Sequence, residues 1–564
     1  MELEKERRFE AKLECLREKW RKIQDDEVNY SFPIPRTTMK EMFLKQVENH
    51  PDKIYIYHHE RTETYKETNQ MANRIANGLL AMGLKKRDRL ITYVSNSVEF
   101  VEITQACFKT GIILVNTNPL STADEIQRRI KDCTPRAVIA DSVALPTVRK
   151  ALEENALGVS AIIACPTVEK IPETPGVIGW EELLSEQQTE PDIDIQPEDI
   201  AVLQYTGGTT GVLKGCCQTN YAFVAKALAQ VEYFKPILTE EDRENYLVMM
   251  GLGLSHAFGF AQAIVVNMSF GGAMYFADSL EEILSAIEKY RPTIWPSVPI
   301  WMKLIASDPK YQKYDITSLK GITCGAAPLP QEVLNKVESI TGAIITEGYG
   351  MTETVNTITI NSFKARKVGT VGVPNPNIEY LIVDQNDGET LMPDGQAGEI
   401  ICRGDCVMHE YWGKPEETAE VLRDGWLYTG DIGYVDEEGY LVILDRKKDL
   451  IIISGFNVFP REIEDVVAEF PGVADSCAVG VPNERRGEVP AIFVQPKQGT
   501  EINLDDVERF CREKLSKYKV PKYYFLVDEV PKTKNRKPDR KLLKKQFAEM
   551  KDEQKIFRKA PETQ

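Results

Sequence analysis

Short β-rich runs alternate with stretches of helical periodicity from about residue 38 to residue 445, and this alternation constrains the fold more than any other feature of the chain. Strands that alternate with helices usually pair in parallel, because each helix returns the chain to the same edge of the sheet. The pattern therefore predicts an α/β fold with a large N-terminal domain of mostly parallel βα layers. Examples of the predicted strands are Ile91–Val94, Ala137–Ala140, Ile200–Tyr205 and Gly321–Cys324, the last followed by a helix from Pro330.

The pattern changes toward the end of this large domain. The runs Ile378–Asp384 and Glu399–Arg403 are typical of hairpins, and the turn residues Asp436–Gly439 precede a further strand over Tyr440–Leu444. We therefore expect a β-rich subdomain at the end of the large domain.

A separate unit follows the charged cluster at residues 445–449. Its predicted elements are a strand Leu450–Ser454, a helix Arg461–Phe470, strands Ala474–Val481 and Pro490–Gln495, a helix Leu504–Leu515 and a last helix from Pro538. A chain of 564 residues exceeds what one hydrophobic core supports, and about 115 residues are enough for a separate domain. We expect an N-terminal helical extension over residues 1–30, a large domain over 31–447 and a small, mobile α+β domain over 448–564.

The N-terminal segment predicts an amphipathic helix. Apolar residues recur at spacings of three and four within a charged stretch of both signs, at Phe9, Leu13, Leu16, Trp20 and Ile23. A helix docked on its own domain is the first interpretation, and a dimer contact or a peripheral membrane contact are the alternatives.

Composition excludes several classes of protein. Lys and Arg number 69 and Asp and Glu 86, and the resulting net charge of −17 argues against a general nucleic-acid binder. The 11 cysteines form no CxxC pair, so neither a disulfide framework nor a zinc site is predicted, and a reducing cytoplasm is expected. No apolar run approaches the roughly 18 residues that span a bilayer, so no transmembrane segment is expected. The chain also lacks the HExxH and GxSxG motifs of zinc and serine hydrolases.

A loop with the chemistry of a phosphate site follows the predicted strand Ile200–Tyr205. Glycines let backbone amides approach a phosphate, hydroxyls donate further hydrogen bonds, and a lysine adds positive charge. It is not a Walker motif, because Leu213 precedes the lysine and Gly215 follows it. The alternative is a turn that binds no ligand, but such a turn does not require three hydroxyls together with a lysine. The loop comprises Thr206, Gly207, Gly208, Thr209, Thr210, Gly211, Val212, Leu213, Lys214 and Gly215.

Two further segments carry isolated carboxylates. Glu353 ends the polar segment 346–353. Asp431 ends the segment Trp426–Asp431, and a carboxylate can accept two hydrogen bonds from neighbouring hydroxyls. A helix-capping loop and a surface charge, respectively, are the alternatives.

The segment Tyr205–Gly215 resembles the signature loop of the adenylate-forming superfamily, which includes acyl-CoA synthetases, luciferases and the adenylation domains of peptide synthetases. Gly207 stands where the family often has Ser, and Leu213 where it often has Pro. Further segments in the family's order extend the resemblance from about residue 40 to residue 545.

The resemblance implies the nucleotide contacts of the large domain. Tyr349 lies against the adenine, Thr352 contacts the α-phosphate and Glu353 binds magnesium. Asp431 and Arg446 hold the ribose hydroxyls. The implied ATP- and AMP-binding set also includes the loop residues Thr206, Gly207, Gly208, Thr209, Thr210, Gly211 and Lys214 and the adenine-side residues Gly325, Ala326, Ala327, Gly350 and Met351.

The resemblance also implies the roles of the C-terminal domain. Lys448 is the hinge position, and Gly455 and Phe456 lie at the channel for coenzyme A. Lys537 stabilises the charge that develops between the carboxylate and the α-phosphate. Because Arg536 replaces the family's usual Gly, Lys534 is kept as a rival for this role.

The acyl pocket is implied at His256, Phe258, Gly259 and Gly350, with His256 as a pocket wall or gate. The acetate-specific branch of the family narrows its pocket with a tryptophan in the segment that matches Tyr349–Glu353, where this chain has Gly350 and Met351. Medium-chain, aromatic or alicyclic acids are therefore expected in preference to acetate.

The predicted activity is that of an AMP-forming acyl-CoA ligase that uses ATP, Mg²⁺ and coenzyme A. An adenylate-forming enzyme with a carrier protein as acceptor, or a catalytically silent nucleotide-binding regulator, are the alternatives. No nucleic-acid partner is expected, and a homodimer is left open.

Overall fold

The computed structural model of the chain describes residues 2–153, 158–167, 171–206, 213–453, 456–483, 485–533, 537–552 and 557–559. The chain forms two compact units. Unit 1 comprises Met1–Tyr380, Cys402–Tyr428 and Glu438–Leu441, and unit 2 comprises Leu381–Ile401, Thr429–Glu437 and Val442–Gln564. The domain boundaries expected at residues 30 and 447 stay predictions.

Helices are distributed along the whole described chain. In chain order they are α1 Glu2–Ile23, α2 Met39–Asn49, α3 Tyr65–Ala81, α4 Val98–Thr110, α5 Ala123–Cys133, α6 Leu145–Glu153, α7 Trp180–Leu183, α8 Asn220–Tyr233, α9 Glu240–Glu244, α10 Ala257–Phe260, α11 Asn267–Phe270, α12 Leu280–Tyr290, α13 Pro299–Ser307, α14 Gln331–Thr341, α15 Pro415–Val421, α16 Pro460–Ala468, α17 Leu504–Lys514 and α18 Arg540–Asp552. A π-helical turn covers Ala261–Val266, and 3₁₀ turns cover Pro309–Lys313, Thr352–Thr354 and Lys447–Asp449.

The strands between these helices are short, except for β20, β24 and β25. In chain order they are β1 Ile54–His58, β2 Arg61–Thr64, β3 Arg89–Tyr93, β4 Ile113–Asn116, β5 Ala137–Asp141, β6 Ala161–Cys165, β7 Ile200–Tyr205, β8 Gly215–Thr219, β9 Leu247–Met250, β10 Ala273–Phe276, β11 Ile294–Ser297, β12 Gly321–Cys324, β13 Ile344–Met351, β14 Asn356–Ile360, β15 Val373–Pro374, β16 Ile378–Val383, β17 Gly398–Gly404, β18 Glu410–Tyr411, β19 Leu422–Arg423, β20 Trp426–Val435, β21 Leu441–Arg446, β22 Ile451–Ile453, β23 Phe456–Val458, β24 Val473–Asn483, β25 Gly487–Pro496, β26 Tyr523–Leu526 and β27 Phe557–Lys559.

Several helices begin where the sequence supplies a reciprocal cap. At α2, α3 and α5 a threonine accepts a hydrogen bond from the amide three residues later, and the glutamate at that position accepts one from the amide of the threonine. These exchanges satisfy amides that have no partner inside the helix. The three pairs are Thr38 with Glu41, Thr64 with Glu67 and Thr122 with Glu125.

Two mostly parallel sheets form the body of unit 1. One has nine strands in the order β15-β14-β13-β12-β11-β9-β10-β1-β2, and the other has seven in the order β18-β8-β7-β4-β3-β5-β6. Within the described ranges, the antiparallel pairs of these two sheets lie toward the edges, at β13–β14–β15, β1–β2 and β18–β8–β7. The predicted α/β fold with parallel layers is confirmed.

Each of these sheets has its own apolar core. Trp295 and Ile322 of the nine-stranded sheet pack with Met302 and Leu334 from α13 and α14, and all four are nearly or fully buried. Ile91, Val115 and Val138 of the seven-stranded sheet pack with Ile126 and Val148 from α5 and α6. Near-continuous apolar strands are expected where helices cover a parallel sheet.

A further sheet of five strands has the order β16-β17-β20-β19, with β21 beside β20. Of these strands, β16, β17 and β21 match the segments whose pattern predicted strands and hairpins. The β-rich part of the predicted fold is therefore present.

Unit 2 contains a six-stranded sheet in the order β23-β22-β25-β26-β27, with β24 paired to β25. α16 and α17 cover one face through Ile463, Val467 and Val507, while α18 covers the other through Leu543 and Phe547. Most pairs are antiparallel, and β25–β26 is parallel. This confirms the predicted C-terminal α+β unit, although β23 was not among the strands predicted there.

The N-terminal helix α1 lies with its apolar stripe against the rest of unit 1. Phe9, Leu13, Leu16 and Trp20 are at most 3% exposed. Phe9 meets Trp426 edge-on at 5.8 Å between ring centroids, and the indole N–H of Trp20 donates a hydrogen bond to Gly439 O at 3.0 Å. The first interpretation of this segment, a helix docked on its own domain, agrees with these contacts.

Charged residues fix the orientation of the same helix. Arg17 pairs with Glu379, and Arg403 donates hydrogen bonds to the other oxygen of Glu379 at 2.8 and 3.0 Å. Glu10 of α1 also pairs with Arg403 at 3.0 Å. Among the described residues no helix is long and apolar enough to cross a membrane.

We predict that Trp20→Ala releases α1 from the body of unit 1. Truncating a buried tryptophan costs about 3–5 kcal/mol, so amide hydrogen exchange within residues 2–23 should become faster by roughly 10²-fold or more. Hydrogen–deuterium exchange followed by mass spectrometry measures this. Cys15→Ala, at an exposed position of the same helix, is the control and should leave the exchange unchanged. Equal exchange in the two variants would contradict the docked arrangement.

Candidate active site

The predicted phosphate loop is framed by two antiparallel strands of the seven-stranded sheet. Tyr205 of β7 is the register partner of Gly215 of β8, and the amide of Thr206 donates a hydrogen bond to Lys214 O at 3.0 Å. The loop therefore leaves and re-enters the sheet at one place. Gly207, Gly208, Thr209, Thr210 and Gly211 lie outside the described residues, and their phosphate contacts stay predictions.

Lys214 and Glu353 are joined through the side chain of Tyr411. The ammonium of Lys214 lies over the ring of Tyr411, 4.8 Å from its centroid. The hydroxyl of Tyr411 donates a hydrogen bond to Glu353 Oε1 at 2.7 Å. Tyr411 and Glu353 are 4% and 7% exposed, and a buried carboxylate requires such a hydrogen bond because it has lost its water.

Strand pairing positions Tyr411, and hydrogen bonds to two backbone carbonyls position Thr352 and Glu353. Tyr411 in β18 is paired with Cys216 of β8, directly after the phosphate loop. Gln218 Nε2 donates a hydrogen bond to Thr352 O, and the amide of Met408 donates one to Glu353 O, both at 2.7 Å. Two segments distant in sequence, the phosphate loop and the turn 352–354, are thus held by the same short strands.

The turn that carries Thr352 and Glu353 ends in a strained backbone. Val355 and Asn356 have φ angles of 49° and 99°, a conformation that costs a β-branched residue of order 1–3 kcal/mol. Thr354 Oγ1 donates hydrogen bonds to Met351 O and Asn356 O, both at 3.1 Å. Strain of this kind is often found where a chain must present particular side chains.

Close packing of the backbone explains why residue 350 is glycine, whereas an open acyl pocket was the expected explanation. The β13–β14 register shifts between Tyr349 and Gly350, and a Cβ at position 350 would lie 1.4 Å from Asn356 O. No side chain fits there. The glycine therefore does not by itself indicate a wide acyl pocket. The role of Gly350 in that pocket stays a prediction.

The predicted adenine-side and acyl-side residues meet at the carboxyl end of β12. A Cβ at Gly325 would lie 3.5 Å from Gly348 O and 3.6 Å from Phe258 Cε1. Ala326, with φ of 69°, and Ala327 follow and are exposed. The carboxyl ends of parallel strands are the usual place for ligands in open α/β sheets.

His256 is exposed and begins the short helix α10. Its Nδ1 accepts a hydrogen bond from the amide of Phe258 at 3.2 Å, so this nitrogen serves as a helix cap. Gly259 is required by close packing, because a Cβ there would lie 2.3 Å from Gly253 O. A wall position for His256 and Phe258 therefore fits the structure better than acid–base chemistry.

Three side-chain amides that the motifs did not single out, two of them buried, hold this segment in place. Asn116 Nδ2 donates hydrogen bonds to Leu254 O at 2.7 Å and to Gln204 Oε1 at 3.1 Å. Gln204 Nε2 donates to Ser255 O at 2.8 Å, and Asn96 Nδ2 to Leu252 O at 2.9 Å. A polar residue at the end of an apolar strand is the signal that would have found Asn116. Tyr411, in a strand of two residues, carries no comparable signal.

Unit 2 contains a second cluster of predicted site residues. Asp431 in β20 is 3% exposed, and its Oδ1 lies 2.9 Å from Arg446 Nε at the end of β21. Lys537 is close to both. Burial lowers the pKa of the Lys537 ammonium, the charge of Arg446 lowers it further, and Asp431 opposes the change. Three residues that are far apart in sequence are thus brought together.

Neighbouring contacts position the members of this second cluster. Glu399 accepts hydrogen bonds from the amide of Gly430 at 3.1 Å and from Lys447 Nζ at 2.7 Å. The amide of Thr533 donates a hydrogen bond to Lys537 O at 2.7 Å. Lys534 and Arg536 lie outside the described residues, so the choice between Lys537 and Lys534 stays a prediction.

The remaining predicted residues lie near the start of the six-stranded sheet. Lys448 is exposed in the 3₁₀ turn Lys447–Asp449, between β21 and β22. Phe456 begins β23 and is the register partner of Ile453. Gly455 lies outside the described residues. The hinge and coenzyme A roles stay predictions.

Asp445, just before Arg446, has an unusual protonation equilibrium. Burial raises its pKa to about 6, while Arg540 and the amides of Arg446 and Arg461 act in the opposite direction. Its carboxylate accepts hydrogen bonds from those two amides at 2.8 and 3.0 Å. Asp445 therefore holds the end of β21 next to the start of α16.

The fold and these two clusters define an adenylate-forming enzyme of the acyl-CoA synthetase branch. The chain belongs to the AMP-binding enzyme family: the family's main domain matches residues 43–412, and its C-terminal domain matches residues 462–537. The resemblance drawn from the sequence motifs is confirmed.

Named relatives agree with this assignment. The long-chain-fatty-acid–CoA ligase of Bacillus subtilis (strain 168) is 33% identical over 91% of this chain and 95% of its own length. 4-Coumarate–CoA ligase 2 of Nicotiana tabacum is 32% identical over 86% of this chain and 89% of its own. Among solved structures, o-succinylbenzoate CoA synthetase from Bacillus subtilis, in complex with the acyl-adenylate intermediate, is similar with a TM-score of 0.78, at 26% identity, over 91% of this chain and 99% of that one. The chain is thus a CoA ligase of the acid–thiol class.

We predict that Glu353→Gln loses at least about 10²-fold in acid-dependent pyrophosphate release, the scale for removing one preorganised charge or donor. Glutamine keeps the size of the side chain and an oxygen for the Tyr411 hydrogen bond, but it removes the negative charge. Circular dichroism should show an unchanged fold.

Tyr411→Phe is the matched control. It removes the hydrogen bond and keeps the carboxylate, so its loss should be the smaller of the two. Wild-type pyrophosphate release in Glu353→Gln would show that this carboxylate has no part in the first half-reaction.

Proposed function

We propose that this acyl-CoA ligase is AMP-forming and that it takes an apolar carboxylic acid larger than acetate. In the first half-reaction a carboxylate oxygen attacks the α-phosphorus of ATP, and the bond to pyrophosphate breaks. In the second, the thiol of coenzyme A attacks the acyl carbonyl and AMP leaves. The observation that carries the proposal is the contact of Tyr411 with both Lys214 and Glu353. This contact brings a lysine that can bind a phosphate close to a carboxylate that can bind a metal ion.

Unit 1 supplies the polyphosphate-binding groups in this proposal. Lys214 is fixed over the Tyr411 ring, so its charge is held at the border of the phosphate loop instead of moving freely in solvent. Thr352, whose carbonyl is held by Gln218, is proposed to bind the α-phosphate through its hydroxyl. Tyr349 and the exposed Ala326 and Ala327 are proposed to contact the adenine.

Glu353 is the residue proposed to hold Mg²⁺. It is an oriented carboxylate in a protected position, with one oxygen fixed by Tyr411, and carboxylate oxygens are what Mg²⁺ prefers. A bound magnesium ion would neutralise part of the negative charge on the phosphates. The proposed role of Tyr411 is to keep the Glu353 carboxylate in one orientation.

The cluster of unit 2 is proposed to bind the ribose and to assist the first half-reaction. The Asp431 carboxylate is proposed to accept hydrogen bonds from the ribose hydroxyls, and Arg446 holds that carboxylate at 2.9 Å. Lys537 is proposed to stabilise the charge that develops as the carboxylate attacks. Burial of the ammonium and the neighbouring charge of Arg446 lower its pKa, although the residue as a whole is exposed. A cation positioned in this way can stabilise developing negative charge.

Coenzyme A is the acceptor that the named relatives support. A carrier-protein acceptor is the second candidate, and it predicts AMP formation that coenzyme A does not accelerate. A silent nucleotide-binding regulator is disfavoured, since Glu353 and Lys537 are both present.

The acid is proposed to be medium-chain, aromatic or alicyclic. The small residues beside Phe258 support an apolar acyl group, because Gly325 leaves the ring of Phe258 without a side chain in front of it. The relatives act, by name, on long-chain fatty acids and on 4-coumarate, and both are apolar acids larger than acetate.

We predict that Lys537→Ala slows acyl-AMP formation by about 10² to 10³, the scale for losing one preorganised charge, while transfer from preformed acyl-AMP to coenzyme A is far less affected. The charge is needed only while pyrophosphate leaves. Single-turnover measurements of each half-reaction give the two rates separately.

Lys534→Ala is the matched control for the register of the C-terminal motif. It should leave the first half-reaction close to wild type. If Lys534→Ala instead slows acyl-AMP formation selectively, the lysine that acts in the first half-reaction is Lys534 and not Lys537. Equal losses of both half-reactions in Lys537→Ala would contradict a role confined to the first.

A substrate panel tests the size of the acid. We expect kcat/KM for hexanoate, benzoate or cyclohexanecarboxylate to exceed that for acetate by at least about tenfold, since burying each further CH₂ contributes about 0.8 kcal/mol. Palmitate and 4-coumarate belong in the same panel. A preference for acetate over all of these acids would overturn the proposal.

A further inference from the structure

Two adjacent histidines and an aspartate meet at the edge of the nine-stranded sheet, apart from the residues assigned to the ligase reaction. β1 and β10 are parallel neighbours, with His58 opposite Phe276. His58 ends β1 and His59 follows it in the turn to β2, while Asp278 lies in the loop between β10 and α12. The carboxyl ends of adjacent parallel strands therefore bring these residues together.

The three side chains are close enough to share one ion. One nitrogen from each histidine and one carboxylate oxygen of Asp278 all lie within 4.8 Å of one another. A tetrahedral zinc site, with ligand bonds of about 2.1 Å, needs its ligand atoms roughly 3.4 Å apart. His59 and Asp278 are exposed, so side-chain rotation can bring them closer by the roughly 1 Å required.

His58 is the observation that points to a ligand. It is 6% exposed, and within the described chain neither of its ring nitrogens has a hydrogen-bond partner. A buried imidazole normally has one. Either ring nitrogen of a neutral imidazole can bind a metal ion.

A carboxylate of α12 orients the second histidine. Glu282 Oε1 lies 3.1 Å from His59 Nδ1 and accepts a hydrogen bond from the hydroxyl of Tyr275 at 3.2 Å. Glu282 Oε2 accepts one from the amide of Asp278 at 3.0 Å. Histidines that bind metals are commonly held by a carboxylate in this way. His59 also has a left-handed backbone, with φ of 52°, which places it beside His58 instead of on the opposite face of the strand.

The surrounding charge is compatible with a cation. Arg61 is the nearest fixed positive group, and it is neutralised by Glu63 at 2.6 Å and by Glu99. Asp278 in the β10–α12 loop and Glu282 in the first turn of α12 are the facing negative groups. The site has two imidazole nitrogens and a carboxylate, which suits a transition metal better than the all-oxygen ligand sets of Mg²⁺ and Ca²⁺.

We propose that His58, His59 and Asp278 form a binding site for a divalent transition-metal ion of the zinc type. The ion connects the β1–β2 turn to the β10–α12 loop. Ala277 in that loop donates its amide to Met250 O at 2.9 Å, immediately before the segment 251–260 that holds His256 and Phe258. A metal bound here therefore stabilises a part of the sheet next to the proposed acyl pocket.

The test is titration of the full chain with Zn²⁺ alone and with Co²⁺ alone, in a Cys15→Ser background because Cys15 is an exposed thiol. Excess Mg²⁺ in the buffer keeps oxygen-ligand sites filled. We expect one Zn²⁺ per chain at this site and a Co²⁺ spectrum with the intense visible bands of four-coordination. Zn²⁺ should also raise the thermal midpoint.

His59→Gln and Asp278→Asn are the deciding variants, because both positions are exposed and neither should disturb the fold. Each should weaken Zn²⁺ binding by at least about tenfold, since even residues that only orient a ligand are worth 10–100-fold. His50→Gln, at an exposed histidine outside the cluster, is the control and should bind as the parent does. Wild-type affinity in both cluster variants, or a Co²⁺ spectrum of six-coordination, would overturn the proposal.

Discussion

The hydrogen bond from Tyr411 to Glu353 is the interaction on which the arrangement of unit 1 depends. A carboxylate that is 7% exposed has given up most of its water, and it is tolerated only where protein groups replace that water. Tyr411 supplies one such group at 2.7 Å, and the face of its ring receives the ammonium of Lys214. Because its backbone pairs with β8 directly after Lys214, the tyrosine contacts both the lysine and the carboxylate.

Unit 2 also contains a buried carboxylate, and there a charged side chain stabilises it in place of a tyrosine hydroxyl. Asp431 is nearly buried, and Arg446 satisfies it at 2.9 Å. The same two residues set the electrostatic surroundings of Lys537, whose ammonium is destabilised by burial and by Arg446 and is partly stabilised by Asp431. Lys537 as a whole is exposed. A cation positioned beside these two charged groups can stabilise negative charge that develops next to it.

The sequence predicted the alternation of strands and helices and some of the individual elements, among them Ile200–Tyr205, whose apolar run is typical of a strand under covering helices. It did not predict the strand order, because pairing depends on contacts between distant segments. The assigned roles were drawn from motifs, so residues outside them were missed: Asn116 acts through backbone carbonyls of another segment, and Tyr411 lies in a strand of two residues. Gly350 shows a different limit: a Cβ there would lie 1.4 Å from Asn356 O, so the backbone alone explains the glycine, and its role in the acyl pocket stays a prediction.

The central claim is that a carboxylic acid is activated on the α-phosphate before coenzyme A takes part. The most direct measurement is exchange of labelled pyrophosphate into ATP with the acid present and coenzyme A absent, using whichever acid of the panel is turned over fastest. The account predicts exchange that requires the acid and does not require coenzyme A, because acyl-AMP formation is reversible and complete without the thiol. Exchange that appears only when coenzyme A is added, or formation of ADP and phosphate in place of AMP and pyrophosphate, would contradict it.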